Sequence, residues 1–405
     1  MINPRSTLSD TKPEIKETKH FYLDLKKLQP ELKKWIDDTS SNWRKWVREF
    51  SKGLITEGLQ PRAITRDMEF GIDVPVDGWD DKVVYVWFEA VIGYLSAAIE
   101  WAQKIGDSSR WEYFWKDPKC KHYYFIAGGN TTFHTVIWPG ELMGYNEKYD
   151  SDELWDKFKL PGETKRERLN LPYDVPSNKM LLYKGKKMSK GENHMITADE
   201  ADEKYGADLT RFFFTRFAPE NHDREFSWDD LIATNNNELV ANIGNFINRT
   251  LTFTYTKFDK KVPEGKWDKD VKKEIDNTFK EVGEYVDEVK LAKSLERILE
   301  LGNFANKYFN DREPWVDVKD NIDRAKDTLF NSIQLVNALR LLLRPYTPFG
   351  CKKLTDLLNI KYEFDANDVL IKNGLVEENI DTWVYSDILA NTEIQRPEIL
   401  WNKIE

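Results

Sequence analysis

From about residue 225 the apolar residues of this 405-residue chain recur every three or four positions, a period that only packed helices satisfy. Leu239, Ile243, Phe246 and Thr250 form one stripe. Val282, Tyr285, Val289, Leu295, Leu299, Gly302, Ala305 and Phe309 form a second, and Ile322, Ala325, Leu329, Ile333, Val336 and Leu339 a third, stopped by Pro345 and Pro348. A helix hides its stripe only against another, so residues 225–350 are expected to form a bundle. Beyond it, Lys353, Leu354, Leu357 and Leu358 suggest a short helix. YEFDANDVL and EIQRPEILWNKIE are then expected to run extended, packing 351–405 back along the bundle.

The first 225 residues are written differently, in short apolar runs separated by helical patterns. Residues 19–28 alternate as a strand does, and 30–52 place Leu32, Trp35, Ile36, Trp43, Trp46, Val47 and Phe50 at helical spacing, broken by Gly53 and Gly58. Residues 61–67 make a charged turn, either a surface ion pair or a loop presenting Arg66. VVYVWF (83–88) and YYFI (123–126) are expected to be buried strands of a parallel sheet, each leading into a helix. Residues 145–178 look like a surface excursion before Met180-Leu181-Leu182-Tyr183 re-enters the sheet. Leu209, Phe212, Phe213 and Phe217 then make a buried stripe on a helix capped by Asp199. The expected class is α/β followed by α, divided into 1–175, 176–224, 225–350 and 351–405.

Composition narrows the function classes. There is no run of 18 apolar residues, residues 1–20 are polar and charged, and only Cys120 and Cys351 occur. Those features predict no membrane span, no disulfide framework and a cytoplasmic setting. Net charge is −10, yet residues 161–190 hold eight Lys/Arg against three acids. Within that basic stretch stands Lys187-Met188-Ser189-Lys190, two lysines three apart around a small hydroxyl, an arrangement able to hold polyphosphate. For a bare pair of lysines a solvated face is the default reading. In the bundle, Asn245 and Arg249 lie four apart on one helix, and Trp315 follows Arg312-Glu313-Pro314 in a short loop. Exposed Trp, Arg and Asn suit single-stranded RNA, though singly each is commonly a core plug, a solvated residue or a cap.

The wording of these segments carries a resemblance. Lys187-Met188-Ser189-Lys190 resembles the signature loop of class I aminoacyl-tRNA synthetases, with Gly191 where the family has a second serine. VWFEAVIGY, Phe133-His134 with TVIWPGELMGY, NNNELVANIGNFINR and REPW together resemble the methionyl-tRNA synthetase family, archaeal type, over essentially the whole chain. The resemblance implies a methionine pocket of Trp87, Ala90, Val91, Tyr94, Phe133 and His134. It implies a catalytic set of Lys187, Ser189, Lys190 and Arg66, with Lys187, Met188, Lys190 and Gly129 against ATP and Mg²⁺. Asn245, Arg249 and Trp315 would read the anticodon of tRNA(Met). The implied fold is the carboxyl-terminal half of a Rossmann-like catalytic sheet followed by a helical anticodon-binding bundle.

Two departures qualify that expectation. Ala127-Gly128-Gly129 stands where the family has Gly-Lys-Asp, and no His-x-Gly-His occurs among His20, His122, His134, His194 and His222. The opening residues resemble the tail of a zinc knuckle whose cysteines would lie upstream, so zinc is expected only in the missing amino-terminal half. The expectation is therefore a methionine–tRNA ligase completed by a separate amino-terminal half as a heterodimer, inactive in aminoacylation alone. A non-catalytic tRNA-binding or scaffold protein derived from the family is the alternative.

Overall fold

A computed structural model describes residues 4–6, 9–191, 193–360 and 385–405. The chain divides into two compact units, Met1–Ser177 and Asn178–Glu405.

In the first unit, helices carry the core and the strands are brief. Asp24 caps the helix Leu25–Thr39 by accepting from the Lys27 N–H at 3.2 Å, and a turn at Ser40–Asn42 leads into Lys45–Glu57. The segment expected as one helix is thus two, with Trp43 turned inward to donate to the Tyr173 carbonyl at 2.9 Å. Gly53 sits inside the second helix, and Gly58, at φ 86°, ends it. Leu28, Leu32, Trp35, Ile36 and Val47 pack with Val136, Ile137 and Met143; a second cluster gathers Leu95, Ile99, Trp111, Tyr124, Trp138 and Leu142.

The strand expectations need correcting here. Residues 19–28 give only Tyr22–Leu23, antiparallel to Arg62–Ala63. Of VVYVWF only Val83–Val84 is a strand, and it runs antiparallel to Thr65–Arg66. Val86–Glu89 instead turns helical, with the Phe88 and Glu89 N–H groups donating to the Tyr85 carbonyl. A six-residue apolar run does not by itself distinguish a buried strand from a helical turn, and here packing chose the turn. YYFI likewise contributes one bridge, Tyr123 to Asp174 in parallel, before the strand Ile126–Ala127.

Residues 145–178 are largely exposed between 150 and 168, as a surface excursion would be, yet the segment is anchored by buried charged groups. Glu163, fully buried, accepts from Lys116 at 2.9 Å and Lys148 at 2.6 Å, while Lys116 also meets buried Glu112 at 2.8 Å. Burial opposes ionisation of Glu163, yet the donors Lys148, Tyr149 and Lys116 together hold its carboxyl below the usual range. Such a network is invisible in local pattern because its members come from elements about fifty residues apart in sequence.

The second unit follows the helical reading, except that the stripe expected from Val282 to Phe309 is divided between two helices at Val289, which stands at φ 55°. Its core is one continuous cluster running from Leu209 to Trp401 and including all four of Leu239, Ile243, Phe246 and Leu299. The long stripes occupy Asn245–Lys257, Lys269–Asp287, Leu291–Arg312 and Ile322–Leu343. Gly302 permits close approach, since a Cβ there would stand 2.5 Å from the Ile243 side chain. Thr197, not Asp199, caps the helix Ala198–Tyr205: its hydroxyl accepts from Glu200 N–H at 3.1 Å while the Glu200 carboxylate accepts from Thr197 N–H at 2.9 Å. Gly206 at φ 82° then separates that helix from Ala207–Arg216.

YEFDANDVL lies outside the described residues, whereas EIQRPEILWNKIE has no helix, makes one antiparallel bridge from Glu393 to Lys261 and packs on the bundle. Ile394 and Trp401 are buried, and Asn235 and Asn236 donate to the carbonyls of Asn402 and Ile404 at 2.9 and 2.8 Å. Among the described residues no helix is long and apolar enough to cross a membrane.

Candidate functional site

In the first unit, Val86–Glu89 passes through the turn Ala90–Ile92 into the helix Gly93–Lys104. Helical spacing of three and four therefore sets Trp87, Ala90 and Tyr94 on one face. All three are exposed, Trp87 by 47% and Tyr94 by 43%, whereas Val91 is buried in the core. Val91 instead packs in the apolar cluster with Leu95, Trp111 and Trp138, so the fold does not present it on this exposed face.

Facing this surface is a π-helical turn, Phe133–Ile137, a widened geometry often found where side chains must be re-aimed for function. It brings the Phe133 ring 5.7 Å from Trp87 and the His134 ring 5.7 Å from Tyr94. His134 Nδ1 lies 3.0 Å from the Asn130 carbonyl, which only accepts, so Nδ1 carries the proton. Nε2 is then the acceptor for the Tyr94 hydroxyl at 2.8 Å. Burial pushes the His134 pKa down, favouring this neutral tautomer, and pushes the Tyr94 hydroxyl up. The result is an exposed aromatic face with one fixed polar contact, suited to an apolar, polarisable side chain such as a thioether.

Two further residues build this face. Tyr124 packs edge-on to Tyr94 at 4.9 Å, and its hydroxyl accepts from Trp138 Nε1 at 3.0 Å. Trp138 stands five residues after Phe133, and Tyr124 sits in the short apolar run at 123–126; aromatic residues beside two motif segments were the available signal.

Gly129 lies in the turn Gly128–Asn130 after the strand Ile126–Ala127, and a Cβ there would meet nothing within 4 Å. Arg66 is folded onto its own loop. Its guanidinium donates to the carbonyls of Ala63 at 3.0 Å and Thr65 at 2.7 Å and lies 3.6 Å over the Tyr85 ring. In this arrangement it staples two brief strands rather than projecting from a loop.

In the second unit, the lysine segment is a hairpin. Leu181–Tyr183 pairs antiparallel with Lys186–Lys187 and parallel with Arg224–Phe226. Lys184 and Gly185, with φ of 51° and 72°, supply the two left-handed positions that a tight hairpin turn needs. Met188 packs on the core, and Ser189 and His194 exchange backbone hydrogen bonds of 2.7 and 3.0 Å. His194 Nε2 donates to the Tyr183 carbonyl at 2.7 Å while its ring stacks on Tyr183. The loop is thus pinned at Met188, Ser189 and His194, leaving Lys187 and Lys190 exposed.

A third cluster lies on the bundle. A π-helical stretch, Asn235–Gly244, leads into the helix Asn245–Lys257, where Asn245 is exposed and Arg249 half-buried one turn later. Leu291–Arg312 ends at Glu313 in the left-handed region, and Pro314 begins the helix Pro314–Asp320. Trp315 is therefore in the first turn of a short helix, not in a loop, and is 40% exposed. The Arg249 guanidinium lies 4.9 Å over Phe309 and 5.7 Å over Trp315, and donates to Asn310 Oδ1 at 2.9 Å. Phe309, a core residue of the helical stripe, also forms the floor of this face, its ring 6.1 Å from Trp315.

Cys120 is half-buried and Cys351 buried, and no group of three His, Cys, Asp or Glu among the described residues could hold a metal ion. The described residues therefore offer no zinc site of three or more such ligands.

Comparison with known proteins bears on the family and the fold. The enzyme from Thermomicrobium roseum named "Methionine--tRNA ligase" is 34% identical over the whole of this chain, which covers 68% of it. The one from Pyrococcus furiosus is 35% identical, and the chain covers 52% of its length. The structure titled "Mycobacterium tuberculosis methionyl-tRNA synthetase in complex with methionyl-adenylate" superposes with a TM-score of 0.76 at 22% identity, over 98% of this chain and 71% of that one. The fold is accordingly a Rossmann-like class I catalytic domain with a helical anticodon-binding domain. With residues 1–251 matching the model "tRNA synthetases class I (M)" and 260–405 matching "Anticodon binding domain of methionyl tRNA ligase", the chain belongs to the methionyl-tRNA synthetase family.

Proposed function

We propose that this chain is the carboxyl-terminal part of an archaeal-type methionine–tRNA ligase that works in the cytoplasm with a separately encoded amino-terminal half. The aromatic face of Trp87, Ala90, Tyr94, Phe133 and His134 is the observation that carries this reading, because two exposed rings beside a buried neutral imidazole match the methionine side chain. In the assembled enzyme methionine attacks the α-phosphate of ATP, giving methionyl-adenylate and pyrophosphate, and the acyl group then passes to the terminal adenosine of tRNA(Met). Lys187 and Lys190 hold the triphosphate charge, which grows on the departing pyrophosphate, and Mg²⁺ arrives with the nucleotide. Ser189 and Met188 anchor that loop, while Gly129 lets the nucleotide approach the backbone. Arg66 acts from its stapled position, and Asn245, Arg249 and Trp315 read the anticodon. In this reading 1–175 is the pocket side of the catalytic domain, 176–224 the lysine loop and stem-contact region, 225–350 the anticodon bundle and 351–405 its returning extension.

The chain by itself is expected to be inactive in aminoacylation, because the chemistry depends on positioning by groups it does not carry, including a His-x-Gly-His segment. Co-expression with an amino-terminal half, followed by methionine-dependent pyrophosphate exchange, tests the reading. Exchange restored by the pair and absent from either chain supports it. A stable pair with no exchange favours the alternative, a non-catalytic tRNA-binding or scaffold protein, which Ala127-Gly128-Gly129 and the folded-back Arg66 recommend.

A further inference from the structure

Gly302, Asn306 and Asn310 stand four apart on the helix Leu291–Arg312 and so share one of its faces. That face is turned toward the helix bearing Asn245 and Arg249, since Asn306 bonds Asn242 and Asn310 bonds Arg249. At Gly302 a Cβ would lie 2.8 Å from Asn242 Oδ1, so glycine leaves the room that the Asn242 amide occupies. Asn242 Nδ2 donates to the Leu299 carbonyl at 3.1 Å. Asn306 closes the contact from the other side: its Nδ2 donates to the Asn242 carbonyl at 2.9 Å, to Asn242 Oδ1 at 3.1 Å and to the Gly302 carbonyl at 2.9 Å. Two amide hydrogens are thereby shared among three acceptors.

The Asn242 carbonyl is also where the winding changes. The Asn245 N–H donates to the carbonyls of Asn242 and Val240, three and five residues back, and not to the one four back that regular α winding uses. The passage from π to α winding therefore falls on Asn245 itself, and Asn306 grips the carbonyl at that passage. π winding is rare beyond a single turn, so the stretch Asn235–Gly244 needs contacts that hold it. If it rewound as α-helix, Asn245 and Arg249 would turn together about the axis, and Arg249 would leave Phe309 and Asn310.

We propose that Asn306 is a positioning residue for anticodon recognition: by clamping Asn242 it fixes the rotation at which Asn245 and Arg249 are presented beside Trp315. The inference rests on the anticodon assignment above. Asn306 carries no charge and acts through Asn242, so its loss should appear in selectivity and not in general tRNA affinity.

Filter binding of a CAU-anticodon tRNA and an anticodon-swapped one to the full chain tests this. Asn306→Asp keeps the shape but sets an acceptor against the Asn242 oxygens, and Asn306→Ala removes the amide; where the first does not fold, the second decides. Each should lower the preference for CAU by about fivefold or more, the scale of a lost hydrogen-bonded contact, while affinity for the swapped tRNA changes by less than about twofold. Ile275→Val, which trims a buried side chain of the same bundle core, should lower the melting temperature and leave the preference intact. A natively folded Asn306→Ala chain with full preference, or one that weakens both tRNAs alike, overturns the inference and leaves the anticodon assignment standing. Preference lost in Ile275→Val as well reduces Asn306 to a structural contact and overturns it too. A wild-type chain with no preference overturns both.

Discussion

The two units differ in how they gather their buried apolar residues. The second buries them in one continuous cluster, because each stripe lies on a helix whose partner is carried by the same unit. The first splits its core into two clusters and leaves Phe70, Ile72, Val86, Trp87, Ile92 and Phe125 exposed. Its sheets have no more than two strands among the described residues, so there is no broad sheet face for those side chains to pack on. Helical order is settled largely within a segment and its immediate neighbours, whereas a sheet depends on every strand that joins it. The same contrast extends to function: the bundle's candidate face is stacked and hydrogen-bonded already, and the first unit's aromatic face is open.

If that contrast is sound, removing a group that acts on developing charge should do the most damage. In the assembled enzyme Lys190→Ala should lower kcat for pyrophosphate exchange by roughly 10²–10³, as loss of one preorganised electrostatic contact does, with KM for methionine little changed. A tenfold rise in that KM at constant kcat would move the lysine into the amino-acid pocket.

The bundle should keep its selectivity without the first unit's chemistry. Stacking a base on an aromatic ring contributes about 1–3 kcal/mol, so Trp315→Ala should cost about tenfold or more in binding of a CAU-anticodon tRNA and flatten the preference over an anticodon-swapped one. Neutralising Lys165 and Lys184 should instead weaken both tRNAs alike and reduce the salt dependence. Filter binding at two salt concentrations separates the two effects, and an intact preference in a natively folded Trp315→Ala chain would reduce the tryptophan to packing.

A subtler change is expected at the aromatic face. Trp87→Ala enlarges the space beside it, and since a methylene in an apolar pocket is worth about 1–3 kcal/mol, the ratio of kcat/KM for methionine over ethionine should fall about tenfold. An unchanged ratio would remove Trp87 from the pocket.

The smallest effect concerns stability. Burial raises the pKa values of Glu141 and Asp174 to about 9 and about 6 from 4.5 and 3.8, so that at neutral pH Glu141 is protonated while Asp174 is mostly ionised. Between the unfolded and folded values the folded chain binds the extra protons, so stability should fall as pH rises from about 4.5 toward 9 for Glu141, and from about 4 to 6 for Asp174. Glu141→Gln should flatten the decline in melting temperature between pH 6 and 9, and a parallel curve would mean that the carboxyl finds a partner in solution.

The sequence by itself determined the helical stripes at 239–250 and 322–343, the lysine hairpin's motif and the family, because each is written in neighbouring residues whose spacing or identity is enough. Asn245 and Arg249 were legible as a pair for the same reason. Tertiary structure alone decided that VVYVWF becomes a brief strand and a helical turn, that Val91 faces the core, and that Glu163 is neutralised by Lys116 and Lys148. It also decided that Phe309 and Asn310 hold Arg249 beside Trp315. Those outcomes depend on which side chains meet across distant segments, where desolvation and partner geometry outweigh local preference, and no periodicity along the chain records them.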